Sequence, residues 1–253
     1  MNAVTASLVV TACVFAGGMF GLNAHRFLPE RHLTKDTLEV IRLGTGTISV
    51  LASLVLGLLI ATAKTSSDTT DRELRSYAAD LIILDSTLRH FGAAAAVPRA
   101  LLRRSTQRML QDIWPSPGGR FAGIDDASAG ALLDQMQQAV HSLGAVDADQ
   151  RLLRDQALQT AAALLRQRWL LIEQTGPSVQ PVVLTILVLW VVAIFASFGL
   201  SAPRNGTVIA AFFLCALAIG GAVFLVLELD SPLSGVLRIS ERPMLRALAQ
   251  MGG

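Results

Sequence analysis

Four stretches of this 253-residue chain are apolar and contain no Asp, Glu, Lys or Arg. They form two pairs, one at residues 4–22 and 44–63 and the other at residues 182–199 and 208–227. A helix needs about 20 mostly apolar residues to cross a bilayer. The first stretch follows no basic residue and is longer than a signal-peptide core, so we expect it to be retained. The chain is therefore predicted to be an integral membrane protein with two transmembrane hairpins.

Most of the charge lies between the two hairpins. Only 16% of all residues are charged, against about 25% in a soluble domain, and the mean hydropathy is +0.52. The region between the hairpins has helical periodicity and no period-two strand pattern. We predict an all-α, four-span protein with a hairpin at 1–66, a cytoplasmic helical bundle at 67–177, a hairpin at 178–229 and a tail at 230–253.

Lys and Arg residues near the spans predict orientation, because they are enriched on the cytoplasmic side of a membrane. Five lie in the loops inside the hairpins: Arg26, Arg31, Lys35, Arg42 and Arg204. Eight lie on the opposite side: Lys64, Arg72, Arg75, Arg166, Arg168, Arg238, Arg242 and Arg246. This difference predicts a bacterial inner (plasma) membrane protein with both termini and the central bundle in the cytoplasm.

The central region is predicted to contain four amphipathic helices. The first reaches Gly92 and could extend directly from the second span, because no residue between Ala63 and Asp68 forces a break. The others cover about 99–114, 128–143 and 147–174. In the last helix the apolar pattern predicts a core-facing set. Its members are Leu152, Leu153, Leu164, Leu165 and Trp169.

The second of these helices carries four arginines at helical spacing: Arg99, Arg103, Arg104 and Arg108. A solvated face is the favoured interpretation, and contact with anionic lipid or a nucleic acid backbone is the alternative. No aromatic residues for base stacking lie among these arginines, and the net charge is only +2, so no nucleic acid partner is expected. Asp80 and Asp85 lie five residues apart and share no helix face, so each is expected to be solvated or interhelical.

The sequence contains no pattern typical of an enzyme. The four histidines lack the spacing to Cys, Asp or Glu that a metal site needs; they are His25, His32, His90 and His141. Cys13 and Cys215 lie inside apolar stretches and form no metal or disulfide framework. Glu228 and Asp230 end the fourth span, where we expect them to meet water or pair with Arg238. No catalytic residue, metal or cofactor is therefore predicted.

The second span carries two parallel stripes. One consists of small or polar residues, namely Gly46, Ser49, Ser53 and Gly57. The other is aliphatic, with a four-residue step: Val50, Leu54 and Leu58. Small residues allow close helix packing, and the aliphatic stripe would then face lipid or a neighbouring helix. Alternatively, several copies of the span surround an axis, and the aliphatic stripe forms a hydrophobic constriction that gates by dewetting.

Two segments carry a resemblance to a known family. The first runs from Trp190 to Asn205 and includes Phe-Gly-Leu and Ala-Pro-Arg-Asn. The second runs from Leu229 to Ser240 and includes Asp-Ser-Pro-Leu-Ser-Gly. Together they resemble a bacterial membrane family of unknown function that is grouped as bestrophin-like. The resemblance covers essentially the whole chain.

The resemblance to true bestrophins is more distant and concerns the second span. Bestrophins carry Val-Leu-Gly-Phe there, and this chain has Val-Leu-Gly-Leu at residues 55–58. By position, the resemblance implies that Val50, Leu54 and Leu58 form a pore neck. It also implies a homopentamer with cytoplasmic termini. The small residues beside the neck are expected to pack the pore helices; they are Ser49, Ser53 and Gly57.

Bestrophins also have an Asn-Pro-Phe-Gly turn after the fourth span, followed in animal members by an acidic run that binds calcium. The corresponding turn here contains Asp230, Pro232 and Gly235, and the next acidic residue is Glu241. Calcium needs several converging oxygen ligands. The sequence therefore predicts no calcium site at this turn.

Two functional hypotheses follow. The first is a bestrophin-like homopentameric ion channel whose second span lines the pore; no ring of charge accompanies the stripe, so no ion is assigned. The second is a non-conducting membrane sensor or scaffold whose cytoplasmic helices bind a partner or ligand. The expected partners are further copies of the chain, the lipid bilayer and, in a channel, inorganic ions.

Overall fold

The structure, a computed structural model, describes residues 2–24, 35–115, 127–174 and 179–252. The regular secondary structure in these ranges is helical, which confirms the all-α prediction. The helices are α1 (Ala3–Ala24), α2 (Lys35–Phe91), α3 (Ala96–Ile113), α4 (Ala127–His141), α5 (Ala148–Gln174), α6 (Pro181–Ser201), α7 (Gly206–Leu229) and α8 (Arg242–Gln250). A 3₁₀ turn at Ala93–Ala95 precedes α3. Among the residues used above, His25, Arg26, Arg31 and His32 lie outside the described ranges.

In the described ranges, four helices are long and apolar enough to cross a membrane, and they contain the four predicted apolar stretches: α1, α2, α6 and α7. Helix α2 has 57 residues, which corresponds to about 86 Å at 1.5 Å per residue. It begins at Lys35, before the predicted start of the span at residue 44. The helical turns before residue 44 contain several charged residues. These residues exclude that part from an apolar span, but they do not prevent it from being helical.

The described chain forms two compact units, and the boundary at Ser67 and Asp68 falls within α2. The first unit comprises Met1–Ser67, Pro177–Ser231 and Gly235–Leu237. The second comprises Asp68–Gly176, Pro232–Ser234 and Arg238–Gly253. The first unit therefore holds the four apolar segments, and the second holds the amphipathic helices.

In the first unit, α1 packs closely against α6 through glycines. A Cβ at Gly21 would overlap the carbonyl of Ala196, and a Cβ at Gly199 would overlap the carbonyl of Gly18. A Cβ at Gly17 would lie 2.9 Å from Val192. These contacts let two helix backbones approach each other, as small residues do at membrane helix interfaces.

The turn between α6 and α7 is fixed by side chains of the Ala-Pro-Arg-Asn segment. Asn205 caps α7, because its Oδ1 accepts a hydrogen bond of 2.9 Å from the backbone N–H of Val208. Arg204 Nε donates a 2.9 Å hydrogen bond to the carbonyl of Leu22 near the end of α1. One short segment thus starts α7 and satisfies a carbonyl at the end of α1.

The second unit has a continuous apolar core to which the C-terminal part of α2 and helices α3, α4, α5 and α8 contribute. Its fully buried side chains include Leu74, Tyr77, Leu81, Leu88, Leu102, Ile113, Leu133, Met136, Leu164 and Met244. Along the C-terminal part of α2 and along α4, the buried side chains recur mostly at spacings of three and four residues, as one face of an amphipathic helix does.

The predicted inner face of α5 is wrong in part. Trp169 and Leu152 are exposed, at 66% and 59%. The buried line instead follows Ala157, Ala161, Leu164, Arg168 and Leu171. The packed face contains two alanines and an arginine. The pattern of large apolar residues therefore predicts the wrong face of the helix.

The expected solvated position of Arg99 is also wrong. Its Nε lies 2.9 Å from Oδ1 of Asp85, whose carboxylate is buried and also pairs with Arg89 at 3.0 Å. The hydrogen bond to Asp85 raises the pKa of Arg99. Asp80 is interhelical too, because it accepts a 2.6 Å hydrogen bond from Gln167 Nε2.

Helix α8 closes the core of the second unit. Met244 and Ala247 of α8 are buried there, and so is Met251, which directly follows the helix. Upstream of α8, the carbonyl of Ile239 accepts a 3.0 Å hydrogen bond from Trp114 Nε1. The sequence assigned this region only to a tail, although much of it is part of a folded unit.

Candidate functional site

The aliphatic stripe of α2 is exposed in the single chain. Val50, Leu54 and Leu58 are 70%, 69% and 65% exposed. Successive members are four residues apart, so at 100° per residue they drift by about 40° per step and share one face. This exposed face is the surface that the sequence identified as a possible pore neck.

The opposite face of α2 is packed. Ala52 is buried in the apolar cluster that contains Leu187 and Val191 of α6, and Ala63 is buried in a smaller cluster with Val226 of α7. The aliphatic stripe therefore does not supply the contact between α2 and the rest of its own unit. A different set of residues on the same helix does so.

The small and polar stripe lies beside the aliphatic one. Ser49 and Ser53 each donate a hydrogen bond of 2.8 Å to the carbonyl one turn earlier, so their hydroxyls are satisfied within the helix. Both also line a groove of about 190 Å³ with residues of α6 and α7. A Cβ at Gly46 or at Gly57 would meet nothing within 4 Å. These two glycines therefore leave space that the described chain does not fill.

The turn after α7 is held by a buried carboxylate. Glu228 is 5% exposed, and its Oε2 accepts hydrogen bonds of 2.6 Å and 3.1 Å from the backbone N–H groups of Val236 and Leu237. Gly235 has a φ of +91°, and a Cβ there would lie 2.5 Å from the same carboxylate oxygen. The expectation that Glu228 simply meets water or an arginine is therefore wrong: it accepts backbone hydrogen bonds in this turn.

The other two residues of the turn make separate contacts. In the first unit, Asp230 Oδ1 accepts a 3.0 Å hydrogen bond from the backbone N–H of Val179, just before α6. In the second unit, the Pro232 carbonyl accepts a 2.8 Å hydrogen bond from the N–H of Ile239. Among the described residues, no three His, Cys, Asp or Glu side chains come together as a metal site. The hydrogen bonds of Asp230 and Pro232 therefore fix backbone positions.

Sequence reasoning missed a buried polar pair in the second unit. Tyr77 and Arg168 are 1% and 4% exposed. Burial raises the pKa of Tyr77, and the charge of Arg168 lowers it in part. The hydroxyl therefore remains protonated at physiological pH. The sequence signal for this pair is weak, because Arg168 follows Gln167 and looks like an exposed cation.

The comparisons with known proteins agree with this architecture. The chain resembles crystal structures of a bacterial bestrophin homolog from Klebsiella pneumoniae. One variant matches with a TM-score of 0.69 and 13% sequence identity, covering 100% of this chain and 99% of that one. Another has a TM-score of 0.66 and 13% identity over 98% and 99%. A crystal structure described only as a membrane protein gives a TM-score of 0.58 at 13% identity, over 98% and 99%.

At this level of identity the structural matches establish a shared fold. No curated protein matches the sequence. The family model for the bestrophin-like domain matches residues 9–244, which is nearly the whole chain. This protein therefore belongs to the bestrophin-like family.

Proposed function

We propose that this chain is the subunit of a homopentameric ion channel in which α2 lines the pore and Val50, Leu54 and Leu58 form a hydrophobic neck. The observation that carries the proposal is the exposure of these three side chains, at 65–70%, on the face of α2 opposite its packed face. Around a five-fold axis, each position would supply a ring of five aliphatic side chains. Such rings exclude water and gate by dewetting.

The neighbouring small residues distinguish α2 from a helix that only faces lipid. A lipid-facing surface gains nothing from glycine or serine, whereas close contact between helices requires small side chains. Gly46 and Gly57 have no neighbour for a Cβ within 4 Å. A second copy of the chain would fill that space and place the aliphatic stripes around a common axis.

The remaining features of the proposal follow from the sequence and the family. Near the spans, eight basic residues outside the hairpin loops against five inside them favour an inner-membrane protein with cytoplasmic termini and a cytoplasmic second unit. Its partners are other copies, lipid and the permeating ion. No catalytic group, metal, cofactor or nucleic acid is required. The competing hypothesis, a non-conducting sensor or scaffold, leaves the aliphatic stripe in contact with lipid.

Native mass spectrometry of the purified protein tests the assembly. The subunit mass of 26.9 kDa gives about 134.5 kDa for five copies. A monomer or dimer that persists in mild detergent and in nanodiscs would remove the geometry on which the neck depends.

Liposome flux tests the neck itself. Leu58→Ser places a hydroxyl in each ring and should raise the ion leak, because a polar ring is easier to wet. Leu214→Ser on α7 is the matched control, because Leu214 is 67% exposed, close to the 65% of Leu58. The control should leave the flux unchanged. Equal flux in both variants, with normal assembly, would support the sensor or scaffold.

A further inference from the structure

An open cleft lies between α3 and α4 in the second unit. Its volume is about 670 Å³, within the 300–1,000 Å³ range of small-molecule sites. The side chains on its walls that bear on ligand chemistry are Arg104, Gln107, Arg108, Gln111, Ser128 and Gln135. The first four stand at positions i, i+3, i+4 and i+7 and so share one face of α3. The proposed pore neck uses none of these residues.

Four of these side chains have no internal partner. Arg104, Gln107, Gln111 and Gln135 make no hydrogen bond or ion pair within the part of the chain that the structure describes. Each amide can donate and accept, and the guanidinium donates only. The cleft thus offers one guanidinium and three amides to a ligand.

Arg108 is held in place across the cleft. Its Nε donates a 3.0 Å hydrogen bond to Ser128 Oγ on α4 and lies 3.4 Å from Oδ1 of Asp112. Asp112 is buried, at 6% exposure, and its negative charge offsets the positive charge of Arg108. Within the described ranges, Arg104 has no such ion-pair partner. Its guanidinium can therefore pair with an anionic group of a ligand.

We propose that this cleft binds a phosphate ester that carries hydroxyl groups. A guanidinium recognises phosphate through two parallel hydrogen bonds, and carboxamides match hydroxyls because both donate and accept. Two sources share this chemistry: a soluble glycerol or sugar phosphate, and the glycerol phosphate headgroup of phosphatidylglycerol. The inference is independent of whether the protein conducts ions.

Calorimetric titration of the full-length protein in uncharged detergent tests the soluble source, with sn-glycerol 3-phosphate and inorganic phosphate as probes. We expect glycerol 3-phosphate to bind with a Kd below about 1 mM. Arg104→Gln should weaken it at least tenfold. Arg103→Gln is the matched control, because Arg103 is exposed on the same helix and does not line the cleft. It should change the Kd by less than twofold.

Gln107→Ala tests the recognition of hydroxyls without changing the charge. It should weaken glycerol 3-phosphate severalfold and leave inorganic phosphate unchanged. Equal losses for both probes would overturn the hydroxyl part of the proposal. If Arg103→Gln and Arg104→Gln weaken ligand binding equally, binding depends only on general electrostatic attraction. That result would overturn the whole proposal.

Nanodiscs test the lipid source. The thermal stability of the protein is compared in phosphatidylcholine alone and with added phosphatidylglycerol. Stabilisation by phosphatidylglycerol that Arg104→Gln abolishes and Arg103→Gln retains would assign the site to the headgroup, even where the soluble probe fails. Absence of both soluble binding and this lipid effect, in protein that remains folded, would overturn the proposal.

Discussion

Gly199→Ala tests the close approach of α1 and α6 on which the first unit depends. A Cβ at residue 199 would overlap the carbonyl of Gly18 and lie 2.7 Å from the backbone nitrogen of Leu22. Both obstacles belong to the backbone of α1 and cannot rotate away. The substitution therefore has to push the two helices apart.

The size of the effect follows from these distances. Ordinary contact begins near 3.4 Å, so α1 must retreat by at least about 0.7 Å. A gap of 0.5–1 Å forfeits about a quarter to a half of each dispersion contact along the interface. Overpacked sites lose about 1–3 kcal/mol, and a backbone obstacle belongs at the upper end. At about 2–4 °C per kcal/mol for a chain of this length, the apparent Tm should fall by about 6–12 °C.

Thermal unfolding in detergent measures this difference, with all variants heated at one scan rate because unfolding of such proteins is often irreversible. Gly221→Ala on α7 is the control, because a Cβ there would meet nothing within 4 Å. Both changes gain the same helix propensity, about 1 kcal/mol. If Gly199→Ala unfolds at the same temperature as Gly221→Ala, the close approach of α1 and α6 is refuted.

Three further predictions concern other positions. Gly57→Ala should not lower the Tm of the subunit, because a Cβ there meets nothing within 4 Å, but should lower the pentamer fraction in native mass spectrometry; an intact pentamer would exclude Gly57 from the contact between copies. Gly235→Ala should cost about 1–3 kcal/mol, from a φ of +91° and the displaced carboxylate beside it, whereas Gly144→Ala, with open space around it, should have little effect in the same melt. Asp85→Asn should destabilise by about 1–3 kcal/mol, because two partly exposed arginines lose a buried partner. Asp71→Asn breaks only an exposed i,i+4 pair and should cost less than about 0.5 kcal/mol; equal losses at the two sites would contradict this.

The spans were predictable because lipid imposes a simple rule on the sequence. A crossing helix must exclude charge over about 20 residues, so the apolar stretches identify α1, α6, α7 and the N-terminal part of α2 without knowledge of their neighbours. The exposed stripe at Val50, Leu54 and Leu58 was also readable, because it depends only on the periodicity of one helix. Its role as a neck remains a prediction, since that depends on other copies.

Features that depend on tertiary partners could not be read in the same way. Arg168 is buried because Tyr77 and the rest of the second-unit core surround it, although an arginine alone predicts an exposed site. Glu228 is buried because a turn that ends eight or nine residues later supplies two backbone donors. Helix α8 is short, and its apolar face gains stability from the core that it covers.

The unbroken course of α2 has a mechanical consequence. From Leu58 to Phe91 the helix contains neither glycine nor proline, the residues at which helices usually kink. Such a segment resists bending, so the part of α2 that belongs to the second unit, from Asp68 to Phe91, offers the other helices of that unit one straight surface to pack against. A proline introduced there would bend that surface and disturb the core packed along it.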